Sequence, residues 1–159
     1  MPTVAIYRRD SELIAVATGQ TTMGVNIETG SAVTLPMDIP KTEIGLEIKN
    51  LFLACGATVE HPKALSDRNT PVLKQAQCSC WADFMRARPD YLTLTMTDSE
   101  FLFERWRRDG KGFAPCDPRL EVSLPLSAEP ESIGAALLGL CKTTPQNKAE
   151  MATTRKPSD

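Results

Sequence analysis

Histidine is nearly missing from this 159-residue chain, in which His61 is the only one. It is the side chain most often used to move protons near neutral pH, and a hydrolase built on it needs a nucleophile and an orienting acid in contact with it. A lone histidine before Pro62, in a polar stretch, reads as a solvated loop residue. Long apolar runs are missing too: none approaches the ~18 residues of a membrane helix. The opening residues have no basic start and no apolar core of signal-peptide length, so a cytoplasmic protein is expected. Neither charge dominates, since 18 Lys and Arg face 20 Asp and Glu for a net charge of −2. That balance makes no electrostatic case for a nucleic-acid binder. Gly-rich phosphate cradles of the P-loop or dinucleotide type do not occur, and Gly110-Lys111-Gly112 is only a turn.

The five cysteines, Cys55, Cys78, Cys80, Cys116 and Cys141, are odd in number and irregularly spaced. A secreted disulfide framework has an even set, so reduced thiols are expected. Cys78 and Cys80 diverge by about 200° on a helix of ~3.6 residues per turn, which disfavours a shared metal. Adding Cys116 and His61 matches no zinc spacing. Cys55 falls on a helix expected to be buried, a poor place for a nucleophile. Nothing here calls for a cofactor or a metal, and the chain reads as a non-enzyme.

What is present is enough for one domain. Hydrophobic residues make up 42% of the sequence. The patterning predicts a single α+β domain over residues 1–143, with a central, mainly antiparallel sheet of about six to seven strands packed by two to four helices. Residues 144–159 lose apolar periodicity and read as a disordered polar tail.

Strands are predicted at residues 4–7, 13–17, 23–27 and 31–35, the last two separated by a turn around Gly30. Thr42 can cap a helix in which Ile44, Ile48 and Leu51 repeat at helical spacing, with Leu46 and Leu53 widening the stripe and Gly56 ending it. A polar loop spans residues 61–71 and a helical turn residues 71–77. Ser79 can cap a short helix that buries Trp81 and Phe84 and ends before Pro89. Residues 91–96 alternate Leu and Met with Thr, giving one apolar and one hydroxyl face. The next strand places Phe101, Phe103 and Arg105 on one face and Leu102, Glu104 and Trp106 on the other. A short extended piece at 113–115, a strand at 120–124 and a helix from Ser127 through Ile133, Leu137, Leu138 and Cys141 complete the domain.

Two groups of side chains carry recognition chemistry. Arginine beside tryptophan, at Arg105-Trp106-Arg107-Arg108, suits an acidic protein surface or nucleic acid. The acids Asp98, Glu100 and Glu104 flank the central strand pair. They can steer a cationic partner, or act as edge charges that discourage aggregation. The patch from Arg105 to Arg108 also supports an alternative reading, a nucleic-acid-binding or regulatory module.

The order of elements resembles a family of bacterial proteins, the immunity proteins of contact-dependent growth inhibition systems. The features that carry the likeness run from the opening strand at residues 4–7 through Thr21-Thr22-Met23-Gly24-Val25 and the helix from Ile44 to Leu53. They continue with Ser79-x-Trp81-x-x-Phe84, the strand at 91–96, Lys111-Gly112-Phe113 and the closing Ser132-Ile133-Gly134-Ala135-Ala136-Leu137. Together they span residues 3–142. The resemblance implies a cytoplasmic protein without catalytic activity. Its partner would be the toxic C-terminal domain of a secreted effector, often a nuclease, bound one to one. Asp98, Glu100, Glu104, Arg105, Trp106 and Arg107 are the expected toxin-binding residues.

Overall fold

The computed structural model describes residues 1–62 and 70–143. The expected tail at 144–159 and most of the polar loop lie outside the described residues. Among the described residues eleven elements follow one another. Three strands, β1 (Thr3–Arg9), β2 (Glu12–Thr21) and β3 (Asn26–Pro36), lead into α1 (Lys41–Phe52). A connecting segment carries β4 (Thr58–Val59), α2 (Pro71–Gln75) and α3 (Trp81–Arg86). Then β5 (Asp90–Met96), β6 (Glu100–Asp109) and β7 (Gly112–Pro125) lead into α4 (Pro130–Lys142). The result is an α+β domain.

The seven-stranded sheet has the order β3-β2-β1-β5-β6-β7, with the short β4 paired in parallel to β2 and every other pairing antiparallel. This order is symmetric. Exchange of the unit β1-β2-β3-α1 with β5-β6-β7-α4 reproduces the same sheet, with β1 and β5 paired at its centre. The sequence echoes the symmetry at nearly constant spacing. Asp10-Ser11-Glu12-Leu13 answers Asp98-Ser99-Glu100-Phe101, Val33-Thr34-Leu35-Pro36 answers Val122-Ser123-Leu124-Pro125, and Ile44-Gly45 answers Ile133-Gly134.

The paired glycines explain how the helices meet. A Cβ at Gly45 would overlap the backbone of Pro130, and one at Gly134 the backbone of Lys41. Each helix therefore seats its first residue on the glycine of the other. Beneath them lies the larger core, where Ile44, Ile48, Ile133 and Leu137 pack on Val4, Ile6, Leu13, Leu92, Leu94 and Phe103. On the opposite face α2 and α3 press Val72, Leu73, Ala76 and Phe84 onto Ala5, Tyr7, Ile14 and Val16.

Several expectations need correction. Residues 23–27 and 31–35 are not two strands. Gly30 lies inside β3, and the turn is earlier, at Gly24, whose φ of +79° favours glycine. The pieces at 113–115 and 120–124 are one long strand, β7, whose register against β6 shifts between Arg105 and Trp106. Leu46 and Leu53 are exposed, so the buried stripe of α1 is narrower than its apolar pattern. Neither Thr42 nor Ser79 is a cap: Pro40 and Cys80 hold those positions, and Ser79 Oγ donates to Asp83 Oδ2 instead (2.7 Å). The last helix starts at Pro130 rather than Ser127.

Candidate binding surface

The two short helices do not cover their face of the sheet. They shield the half built from Ile14, Val16 and Tyr7 and leave the half toward β5 and β6 open. Strand alternation puts Thr93, Thr95, Glu104 and Trp106 on that open half, beside Thr3 at the start of β1. They floor a cleft of about 420 Å³, whose far wall comes from β2 and β3 at Thr18, Asn26 and Glu28.

Hydrogen bonds fix the floor. Trp106 Nε1 donates to Thr93 Oγ1 (3.0 Å), and the Thr3 and Thr95 hydroxyls meet at 3.2 Å. On the wall, Glu28 accepts from Tyr7 Oη (2.8 Å) and from the Val72 backbone N–H (3.2 Å), which ties β3 to β1 and to the first turn of α2. Burial pushes the Glu28 carboxyl above its ordinary value, and its two donors offset only part of that. Burial and the Glu28 charge together raise the Tyr7 phenol well above its usual range and push Tyr91 up to about 12. Both phenols are therefore neutral at physiological pH, and that of Tyr7 is the donor to Glu28. Tyr7, Tyr91 and Phe113 form one ring cluster, with centroids of Tyr91 4.9 Å from Tyr7 and 4.8 Å from Phe113, and Trp106 stands 6.0 Å from Tyr91.

The sequence-selected residues do not form one patch. Glu104 and Trp106 do come together on the cleft floor, with Arg119 Nη1 donating to Glu104 Oε1 from the rim (2.8 Å). Asp98 is exposed in the β5–β6 turn, and Glu100 opens β6 about 13 Å along the strand from Glu104 at ~3.3 Å per residue. Arg107 lies beyond Trp106 on the other face, with its Nη1 3.9 Å from Asp109 Oδ1.

Arg105 is the clearest departure from an exposed basic patch, because it is 5% exposed. Its Nη1 donates to the carbonyls of Leu140 (2.7 Å) and Cys141 (2.9 Å), and its Nη2 pairs with Asp90 Oδ1 (2.9 Å). Arg8 completes the arrangement from β1, reaching Asp90 Oδ2 (2.9 Å) and the Cys141 carbonyl (3.2 Å). Two guanidinium groups thus satisfy the last carbonyls of α4 and oppose the negative end of its dipole.

Glu28, Tyr7 and Tyr91 were not among the selected residues. Glu28 sits in a Glu-Thr-Gly-Ser stretch that reads as a turn, so nothing local marks it as a strand residue aimed at a tyrosine. Thr93 and Thr95 carried a readable signal, the hydroxyl face of their strand. His61 also differs from a free loop residue, since its Nδ1 lies 3.1 Å from Thr21 Oγ1. Among the thiols, burial raises Cys55, Cys116 and Cys141, the last to about 11. Among the described residues no helix is long and apolar enough to cross a membrane, and no three His, Cys, Asp or Glu side chains gather as metal ligands.

No protein-family model matches the chain, and no curated protein matches it by sequence. Solved structures do share its fold. A protein of unknown function from Neisseria meningitidis superposes with a TM-score of 0.64 at 15% identity, covering 87% of this chain and 92% of that one. A chain of a CdiA-CT/CdiI toxin and immunity complex from Yersinia pseudotuberculosis superposes with a TM-score of 0.64 at 11% identity, covering 89% of this chain and 97% of that one.

Proposed function

We propose that this protein is an immunity protein, a binder rather than an enzyme, that neutralises the toxin domain of a contact-dependent growth inhibition effector. The observation that carries the reading is a fold shared almost end to end with a chain of a toxin and immunity complex. The toxin is a nuclease in this proposal, bound one to one in the cytoplasm of the producing cell. Inhibition of that kind needs an interface of about 1,600 Å² in total, centred on a few aromatic or arginine anchors. The open half of the sheet, with Trp106 on its floor and Glu104 beside it, offers such a centre. The alternative module binding nucleic acid loses support from the position of Arg105, whose guanidinium is committed to α4 and Asp90.

Co-expression with the toxin domain encoded immediately upstream tests the proposal. A stable one-to-one complex in light scattering, together with rescued growth, is the expected outcome. An active toxin that neither co-purifies with the chain nor is silenced by it overturns the reading. Nucleic-acid binding at low salt, lost steeply as salt rises, would then favour the alternative.

A further inference from the structure

The cleft carries a carboxylate on its floor and another on its wall, and among the described residues no cation lines it. Of the side chains that line it, Glu28 and Glu104 are carboxylates and none is Lys, Arg or His. Both hydrogen bonds described for Glu28 come from neutral donors, Tyr7 Oη and the Val72 N–H, and among the described residues no ion pair reaches it. Burial raises its carboxyl, and only these two neutral donors oppose that. Glu104 engages Arg119 through Oε1, and Arg119 is a rim side chain, 63% exposed. The half-buried rings of Tyr91 and Trp106 line the same cleft, in the register row next to Glu104, and the threonine hydroxyls supply further acceptors.

The two-unit plan adds a second, independent observation. Ile14 and Val16 of β2 correspond to Leu102 and Glu104 of β6. In the first unit this place is filled by Val72, Leu73 and Phe84. In the second no such helix arrives among the described residues, and the cleft they form has a volume within the roughly 300–1,000 Å³ of ligand-sized pockets. A guanidinium matches this surroundings. It is planar, stacks on aromatic faces, and donates to carboxylates and hydroxyls at once. A phosphate would meet two like charges.

We propose that the cleft receives a basic side chain, an arginine of a protein partner, seated between Glu28 and Glu104 with its guanidinium against Tyr91 and Trp106. The identity of that partner as a toxin domain rests on the function proposed above, but the cation site does not.

A small probe separates the two. N-acetyl-arginine amide is titrated into the intact protein while the Trp106 indole N–H and the Thr93 and Thr95 amides are followed by NMR. N-acetyl-citrulline amide serves as the uncharged isostere. The expected result is a saturable shift at these groups with arginine, at least about tenfold weaker with citrulline, as befits loss of charge-assisted hydrogen bonds. Glu104→Gln and Glu28→Gln should each weaken the arginine response severalfold while the remaining amide spectrum stays native. Glu104 is only half-buried, so its variant keeps the test sound if Glu28→Gln fails to fold. Equal responses to the two amides, no response at all, or a response unchanged in both variants overturns the cation site. In the toxin complex the same variants should lower affinity at least tenfold. Wild-type affinity there would overturn the partner arginine, even if the free amide binds. A probe response without any toxin binding would leave the cleft as a cation site and remove the immunity reading.

Discussion

In the first βββα unit the outward side chains of β2, Ile14 and Val16, are fully buried under α2 and α3. Their counterparts on β6, Leu102 and Glu104, are half-exposed. The inward side chains tell the reverse story: Leu13 and Ala15 answer Phe101 and Phe103, and all four are buried. One plan thus occurs twice, and its inner face is conserved in kind while its outer face is not. Among the described residues, the connecting segment supplies one pair of short helices, α2 and α3, for two equivalent surfaces. The surface left uncovered is the one whose side chains are threonine, glutamate and tryptophan.

The comparison breaks most sharply at the helix crossing. Gly45→Ala and Gly134→Ala should each cost about 3 kcal/mol or more in urea unfolding, because backbone rather than a flexible side chain occupies the space of the new methyl. Helix propensity alone would give a gain of about 0.5–1 kcal/mol, so the sign decides. Similar losses at both glycines sharpen the equivalence of the units, and a loss at only one breaks it. Arg105→Met comes next. Position 105 corresponds to Ala17 in the first unit, so this arginine belongs to one unit only. Its loss should cost about 2–3 kcal/mol, since Asp90 keeps Arg8 and only part of the network is undone.

A smaller effect concerns Glu28, whose carboxyl is raised in the folded state from an ordinary value of 4.5. Over the window that begins near that value and runs upward, the folded protein keeps a proton the unfolded chain has released. Stability contributed by this group therefore falls as pH rises. Glu28→Gln has no such proton, so its stability relative to wild type should improve as pH rises above about 4.5, measured by denaturation at each pH. A constant difference would contradict the burial assigned to Glu28. The smallest expected effect is a gain: Gly139→Ala, exposed on α4 with nothing within 4 Å of the added methyl, should raise stability by about 0.5–1 kcal/mol.

Periodicity made much of the fold legible. Ile44, Ile48 and Leu51 announced α1, and the alternation of Leu and Thr announced β5 with both of its faces. What periodicity could not show was contact at long range. Gly30 carries the chemistry of a turn, yet it lies within one strand, at the irregularity where the β2–β3 register shifts. Pro115 and Pro118 are poor strand residues by composition, yet β7 runs through them: it is an edge strand paired with β6 alone, and its register jumps from Leu120 to Pro115 around Pro118. Arg105 was placed on the face of Phe101 and Phe103, which is the buried face. Its charge argued for water, and only the end of α4, 35 residues away, explains why it is inside. Of the site, Glu104 and Trp106 could be paired from alternation, whereas Glu28 is brought opposite them by a sheet order that no local pattern encodes.

The symmetric sheet also bears on the order in which the chain is read. α1 ends against the start of β1, where Cys55 Sγ donates to the Thr3 carbonyl (3.2 Å). α4 ends against the start of β5, where Arg105 and Arg8, both paired with Asp90, donate to its last carbonyls. To pass from the end of α1 to β5 the backbone must travel the length of β1, about 20 Å at ~3.3 Å per residue. A circular permutant that joins Thr143 to Pro2 and opens between Pro62 and Thr70 faces the same span, which a linker of about seven extended residues can bridge. Such a permutant, with the second half synthesised first, should fold to the same sheet, as circular dichroism and urea unfolding would check.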